Sequence, residues 1–485
     1  MSDIAEIEKP KIPGNYSART QHRWIPAAEG VAAEVTCRET DGQVSRSPHE
    51  DVDEIHHRIS KFHVSPAQMY STESGRLFHA GAICIVLVGL PARGKTNLSI
   101  GLCRYLRWLG VRANLFHFGD YRREQKRLKP RDEDAAEVRM KLRKVVINDM
   151  INFYRNEQGQ VAIFDGVNGL SSERLELFEQ MKQQNVRTIF IESEVDDPLL
   201  LRANINDATN SPDYENWDQQ SAVDDYTNRI NVVSKGYEPM TEKDVTWIRT
   251  ENFGRTMLVN QLKHDFLMTK IIFYLMNVNI KSGSVYFARC SNNKLRFKSD
   301  PPLDDKGCKY MDKLYNTLLE HFREKGEENG FPQDLEVWTS TRLRTKQAAA
   351  IFRDAGLAVK PRPEMTQLNP GDAEGLTDEQ LREEYPTDYS QHQKDPYHHR
   401  YPRAESYHDL ALKLEPLILE AGRVNNDVLI IADETVIRVF YGYLMASSSA
   451  DIPFMRFPQN EIIKISYNAY ANTASRIQIP GVLSD

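Results

Sequence analysis

Residues 89–96 read Gly89-Leu90-Pro91-Ala92-Arg93-Gly94-Lys95-Thr96, which has the spacing G-x-x-x-x-G-K-[ST]. The chemistry this points to is phosphate binding. The two glycines let successive backbone N–H groups close around phosphate oxygens, and a helix start adds favourable partial charge. Lys95 would reach the β- and γ-phosphates of a nucleotide such as ATP, and Thr96 would ligate Mg²⁺. The letters alone match by chance, but their setting fits. The buried-strand run AICIVLVGL precedes them, and KTNLSIGLCRYLRWLG follows, with Leu98, Leu102, Leu106 and Leu109 on one helical face. Such a site also needs a carboxylate for the metal. Asp165 ends the apolar run VAIF and suits that role, or it caps the next helix. Arg122 and Arg123, in the segment DYRRE, follow the strand-like ANLFHFG. Adjacent arginines on a loop at the same sheet edge would grip a second anionic substrate, although a solvated charge run reads the same way.

These residues need a frame. Strand-like runs (AICIVLV, ANLFHF, VAIFD, RTIFIES) alternate with helical stretches such as EVRMKLRKVVINDMINFYRN. That alternation implies an α/β domain with a parallel sheet covered on both faces. A second α/β unit begins near Ser284, with SVYFARC, LEVWTS, DVLIIADE and EIIKISY as strands. The stretch from Pro361 to Pro402 reads as a long surface excursion of the kind that caps a site. Residues 1–78 lack sustained periodicity and read as a mostly irregular extension, in which Ser45 and Ser47 suit either phosphorylation or plain disorder. The expected domains are therefore 79–281 and 282–485.

Composition narrows the function. The 485 residues are 40% hydrophobic and 27% charged, as in ordinary globular chains. Mean hydropathy is −0.56, and the apolar runs are strand-sized, so no membrane span is expected. The start MSDIAEIEKPKIPG has no apolar core, and five scattered cysteines form no disulfide framework; a cytoplasmic location is expected. A net charge of −7 argues against nucleic acid as a partner.

The combination TESGRLFHAG, VGLPARGKT, RYLRWLGV, GDYRRE and SPDY resembles the bifunctional 6-phosphofructo-2-kinase/fructose-2,6-bisphosphatase family in a fungal-type form, from about Thr72 to near the C-terminus. The resemblance implies a phosphate-loop kinase domain, which phosphorylates the 2-hydroxyl of fructose 6-phosphate with ATP and Mg²⁺, followed by a histidine-phosphatase-like domain that removes that phosphate. It implies catalytic roles for Lys95, Asp165 and Arg123. It also implies nucleotide contacts from 89–96 and Asn168, sugar-phosphate contacts from Arg104, Arg122, Arg123 and Arg229, and compatibility with a homodimer.

The chain departs from the family pattern most in the second domain. A histidine phosphatase needs a nucleophilic histidine in Arg-His-Gly, and here the text is Arg289-Cys290-Ser291. The proton-donor glutamate is replaced by Gln367, and the second histidine by Asp433. Arg289, Arg344, Arg400, Arg403 and Arg438 are kept, as anion ligands or as structural ion pairs. In the kinase domain the family's V-K-x-[ST]-S-P-D-Y segment has no lysine: Ala208 or a close neighbour stands there. Val233 replaces a family tyrosine. Two readings follow: a 6-phosphofructo-2-kinase with a dead phosphatase domain, or an ATP-binding pseudoenzyme with a regulatory or sensing role.

Overall fold

The structure, a computed structural model, describes residues 82–124, 135–209, 211–214, 217–262, 265–278, 283–290, 297, 299–327, 330–467 and 472–482. The expected extension 1–78, with Ser45 and Ser47, lies outside these residues. The described chain falls into two compact units, one within 82–278 and one within 283–482.

The first unit runs β1 (Ile83–Val88), α1 (Lys95–Trp108), β2 (Ala113–His117), α2 (Phe118–Glu124), α3 (Ala135–Asn156), β3 (Val161–Asp165), α4 (Ser171–Gln183), β4 (Arg187–Glu194), α5 (Pro198–Thr209), α6 (Gln219–Ser234), β5 (Thr246–Glu251), β6 (Thr256–Asn260) and α7 (Phe266–Asn277). Its sheet has the order β2-β3-β1-β4-β5-β6. Strands β1 to β5 are parallel and β6 is antiparallel to β5. Strand β1 is apolar throughout because both its faces are covered. On one face Val86 and Val88 pack with Leu142, Val146 and Met150 of α3 and Leu177 of α4. On α1, the predicted stripe Leu98, Leu102, Leu106, with Leu109 just past the helix end, is buried. The DYRRE segment was expected on a loop but forms the short helix α2, with Asp120 in its first turn and Arg122 and Arg123 in its last. That placement of charge complements the helix dipole.

The second unit runs β7 (Ser284–Arg289), α8 (Asp305–Glu324), β8 (Glu336–Thr339), α9 (Leu343–Ala348), α10 (Ala350–Asp354), β9 (Ala358–Pro361), α11 (Asp378–Glu384), α12 (Pro386–Lys394), α13 (Tyr407–Arg423), β10 (Val428–Ala432), α14 (Glu434–Leu444), β11 (Glu461–Ser466) and β12 (Thr473–Gln478). The sheet order is β12-β11-β7-β10-β8-β9, with β7 to β10 parallel and the β11–β12 hairpin antiparallel on β7. The stretch 361–402, read as a long loop, contains α11 and α12. Thr377 and Gln380 form a capping box and Pro386 opens α12, so two short helices fold where a loop was expected. Among the described residues, no helix is long and apolar enough to cross a membrane.

Candidate functional site

In the first unit β1 delivers residues 89–94 to the carboxyl edge of the sheet, and α1 begins at Lys95. Gly89 has φ 139°, and a Cβ there would lie 2.6 Å from the Ser193 carbonyl oxygen. Gly94 has φ 72°, and a Cβ there would strike the Phe253 ring at 2.3 Å. Both positions therefore exclude side chains by conformation and by space. Side chains tie the loop down from outside: Ser193 Oγ donates to Arg93 O at 2.6 Å, and Asn204 Nδ2 donates to Ala92 O at 2.9 Å. Arg93 Nη1 reaches the Pro91 carbonyl at 3.4 Å.

Lys95 is buried and donates to Leu90 O at 2.5 Å. Burial pushes its ammonium pKa down to about 8; Asp165 opposes the shift, and Arg93 and Arg229 add to it. The lysine thus sits in a desolvated, positive position with no carboxylate within 4 Å among the described residues. Such a cation gains much from an incoming phosphate.

Asp165 ends β3 beside the loop and is buried. His117, its register partner at the end of β2, places Nδ1 at 2.7 Å from Oδ2. The Ser99 hydroxyl, one turn along α1 from Thr96, lies 3.2 Å from the same oxygen and 2.9 Å from Thr96 O. Burial would raise the Asp165 pKa; His117, Lys95 and a hydrogen bond from Thr96 outweigh it and hold the carboxyl below its usual range. Thr96 and an ionised Asp165 are oxygen donors of the kind Mg²⁺ takes. Among the described residues, no group of three or more His, Cys, Asp or Glu side chains could hold a metal. A magnesium ion here would rely on phosphate oxygens and water, as is usual for it.

The arginines gather beside this edge. Arg122 bonds Asp213, and Arg123 bonds Asp120 at 2.5 Å and Asp213 at 3.4 Å. Arg229 on α6 stacks over Tyr226 at 5.7 Å and acts electrostatically on both Lys95 and Arg122. It thus links the loop to the arginines of α2. Arg104 is half-buried on α1, about two turns past Thr96. The Asn168 amide is committed to the scaffold: Nδ2 donates to Leu87 O at 2.8 Å, and Oδ1 accepts from Arg143 at 2.7 Å. It shapes the loop after β3. Sequence reasoning missed His117, Ser99, Asp213 and Phe253. A signal existed for Ser99, which follows Thr96 by one turn, and for His117, which ends a strand at the same edge.

In the second unit the corresponding edge is closed by the protein's own charges. Arg344 is buried and donates to Gln367 and, at 3.0 Å, to Asp433 Oδ2. Glu434 pairs with Arg438 at 3.2 Å and lies 4.0 Å from Arg289. Arg289 also donates to Phe457 O at 2.9 Å, and Arg438 donates to Met455 O at 2.6 Å and Tyr407 Oη at 2.7 Å. Arg400 pairs with Asp409, and Arg403 pairs with Asp372 at 2.7 Å. Cys290 is buried and packs in the apolar cluster with Ala288, Leu314 and Ile431. Each of these five arginines has an internal acidic partner.

Comparison with known proteins matches this two-part frame. The family model described as 6-phosphofructo-2-kinase matches residues 70–282. The histidine phosphatase superfamily (branch 1) model matches residues 289–480. The Saccharomyces cerevisiae protein named "Putative 6-phosphofructo-2-kinase/fructose-2,6-bisphosphatase YLR345W" is 37% identical over 502 residues, covering 98% of this chain and 96% of its own. The Rattus norvegicus 6-phosphofructo-2-kinase/fructose-2,6-bisphosphatase 3 is 34% identical, over 80% of this chain and 70% of its own. A Saccharomyces cerevisiae fructose-2,6-bisphosphatase is also 34% identical, over 82% of this chain and 90% of its own. With a complete phosphate-binding loop in the first unit and a histidine-phosphatase frame in the second, this chain belongs to the 6-phosphofructo-2-kinase/fructose-2,6-bisphosphatase family.

Proposed function

We propose that this protein is an ATP-dependent 6-phosphofructo-2-kinase whose second domain no longer hydrolyses fructose 2,6-bisphosphate. The observation that carries the reading is the meeting of an unneutralised Lys95, Arg229 and the Arg122–Arg123 pair beside Asp165 at one sheet edge. Residues 89–96 would cradle the ATP phosphates, with Thr96 and Asp165 holding Mg²⁺, which screens the phosphate charge. Arg122, Arg123, Arg229 and Arg104 would hold the sugar phosphate. The 2-hydroxyl oxygen of fructose 6-phosphate attacks the γ-phosphorus, the bond to the β-phosphate oxygen breaks, and the hydroxyl proton passes to solvent. Lys95 steadies the charge that moves toward ADP. Catalysis of this kind rests on positioned positive charge.

In the second domain the reaction would need a nucleophile, a proton donor and free arginines. Cys290 lies in the core, Gln367 exchanges no proton near neutral pH, and Asp433 and Glu434 place negative charge where a phosphate would sit. One observation favours a second reading, an ATP-binding protein with a regulatory role: Ala208 on α5 leaves the transferring phosphate without the family's lysine. Incubation of the purified chain with ATP, Mg²⁺ and fructose 6-phosphate decides between them. Product phosphorylated at the 2-position supports the kinase; bound ATP without product supports the alternative.

A further inference from the structure

The opposite, amino-terminal edge of the second sheet carries charges that neither domain's chemistry uses. Tyr286 on β7 is fully buried, its ring 5.3 Å from Phe322 and 5.9 Å from His321 of α8. Lys325, at the end of α8, donates to the Tyr286 hydroxyl, and its Nζ lies 5.2 Å from that ring and 5.3 Å from Phe322. Lys464 on β11 is the cross-strand partner of Tyr286. Lys325 therefore sits on the buried hydroxyl, and Lys464, across the strand pair, acts on Lys325. The adjacent carboxylate, Asp427, accepts the Ser284 N–H at 2.6 Å and belongs to the same cluster: it acts on the Tyr286 hydroxyl and offsets part of the shift at Lys325. Among the described residues, no carboxylate lies within 4 Å of either ammonium. The carbonyl end of α8 attracts Lys325, but its partial charge does not balance two full ones. Burial, with Lys464 next in weight, pushes Lys325 down to about 8, and both lysines depress His321.

We propose that Lys325 and Lys464, braced by Tyr286, form a binding site for an oxyanion, the phosphate group of a free small metabolite, at the amino-terminal edge of the second sheet. An anion between the ammonium groups replaces their mutual repulsion with two charge-assisted hydrogen bonds.

The test uses the full chain and pyridoxal 5′-phosphate, which carries both a phosphate and an aldehyde. The Lys325 amine adds to the aldehyde carbon and water leaves, giving an imine. Borohydride then delivers hydride to the imine carbon and fixes the adduct as a secondary amine. Peptide mass spectrometry reads the labelling at each lysine. Lys325 should label at least about tenfold faster than the exposed Lys182, because more of its amine is neutral. Inorganic phosphate should protect it. Lys464→Met should abolish that protection, and Lys464→Arg should retain it. Pyridoxal, which lacks the phosphate, is the control. If pyridoxal labels Lys325 as fast and phosphate protects neither reaction, the lysine is merely a basic-site neighbour with a low pKa and the anion site is refuted. Protection that survives in Lys464→Met also refutes it.

Discussion

At the carboxyl edge of the first sheet, Lys95 and Arg229 face no carboxylate within 4 Å among the described residues. At the same edge of the second sheet, Arg344 holds Asp433 at 3.0 Å and Arg438 holds Glu434 at 3.2 Å. Both edges present basic side chains at the ends of parallel strands, where α/β sheets bind ligands. What differs is who neutralises those side chains. In the first unit Lys95 and Arg229 are left for a phosphate, while Arg122 and Arg123 share Asp213 and Asp120. In the second, Asp433 and Glu434 supply the negative charge from within. The number of arginines near a pocket is therefore a poor guide to anion binding unless their internal partners are weighed with them.

This contrast can be broken at its strongest point. Lys95→Met removes the desolvated cation and should cut kinase turnover by about 10²–10³, the usual cost of one transition-state donor. The fold should persist, because Nζ makes a single bond, to Leu90 O. A coupled ADP-release assay beside circular dichroism checks both. Unchanged turnover would place the phosphate elsewhere.

Acid should separate the units next. Burial, helped by His398, holds the His408 pKa down to about 4, against an ordinary 6.5. With the folded value depressed, the unfolded chain takes up the proton first as pH falls. The contribution is complete above about 6.5 and is lost as pH falls toward 4, worth up to ~3 kcal/mol in the second unit. Denaturant unfolding at several pH values, with and without His408→Gln, measures it. The variant should flatten the pH dependence.

Restoring a cation sharpens the kinase reading. Ala208→Lys should raise kcat by about tenfold or more, and more than it shifts the KM for fructose 6-phosphate. Position 208 is half-buried, whereas Thr209 is buried and bonds Asn206 O at 2.7 Å and Gln219 at 3.0 Å. Lysine at 209 should therefore destabilise rather than help. A parent that already turns over efficiently, with no gain from Ala208→Lys, would show that another group supplies this charge.

The smallest effect should come from the second edge. Asp433→Asn frees Arg344 from its carboxylate and should tighten inorganic phosphate there by no more than about tenfold, given the high local dielectric. Phosphate release from fructose 2,6-bisphosphate should stay absent, because Cys290 and Gln367 remain. Chemical-shift mapping and a phosphate-release assay read the two outcomes. Steady hydrolysis by the parent would overturn the proposal for this domain.

Much of the frame was legible because it rests on local pattern. The run ICIVLV has no polar residue to place at a surface, so a central strand follows. Gly89 and Gly94 declare a backbone that no other residue fits. The pairings that decide function are not local. Arg344 meets Asp433 only through the parallel order of β8 and β10, and His117 meets Asp165 only because β2 and β3 align in register. The segment around Thr377 was misread because a capping box followed by a single helical turn or two carries almost no periodicity, and Pro, Tyr and His dominate its composition.

The placement of β1 has a kinetic consequence. Its residues from Cys84 to Val88 have no exposed surface, and it is flanked by β3 on one side and β4 on the other. Amides in such a strand exchange with heavy water only when the whole unit opens. The 89–96 loop hangs from this strand. Arg122 and Arg123 instead hang from α2, beyond the sheet's outermost strand, β2, which has β3 as its single neighbour. Sub-global opening will therefore reach Arg122 and Arg123 long before the 89–96 loop. In deuterium exchange the two halves of the candidate site should run on separate clocks, with the slow one set by the stability of the domain itself.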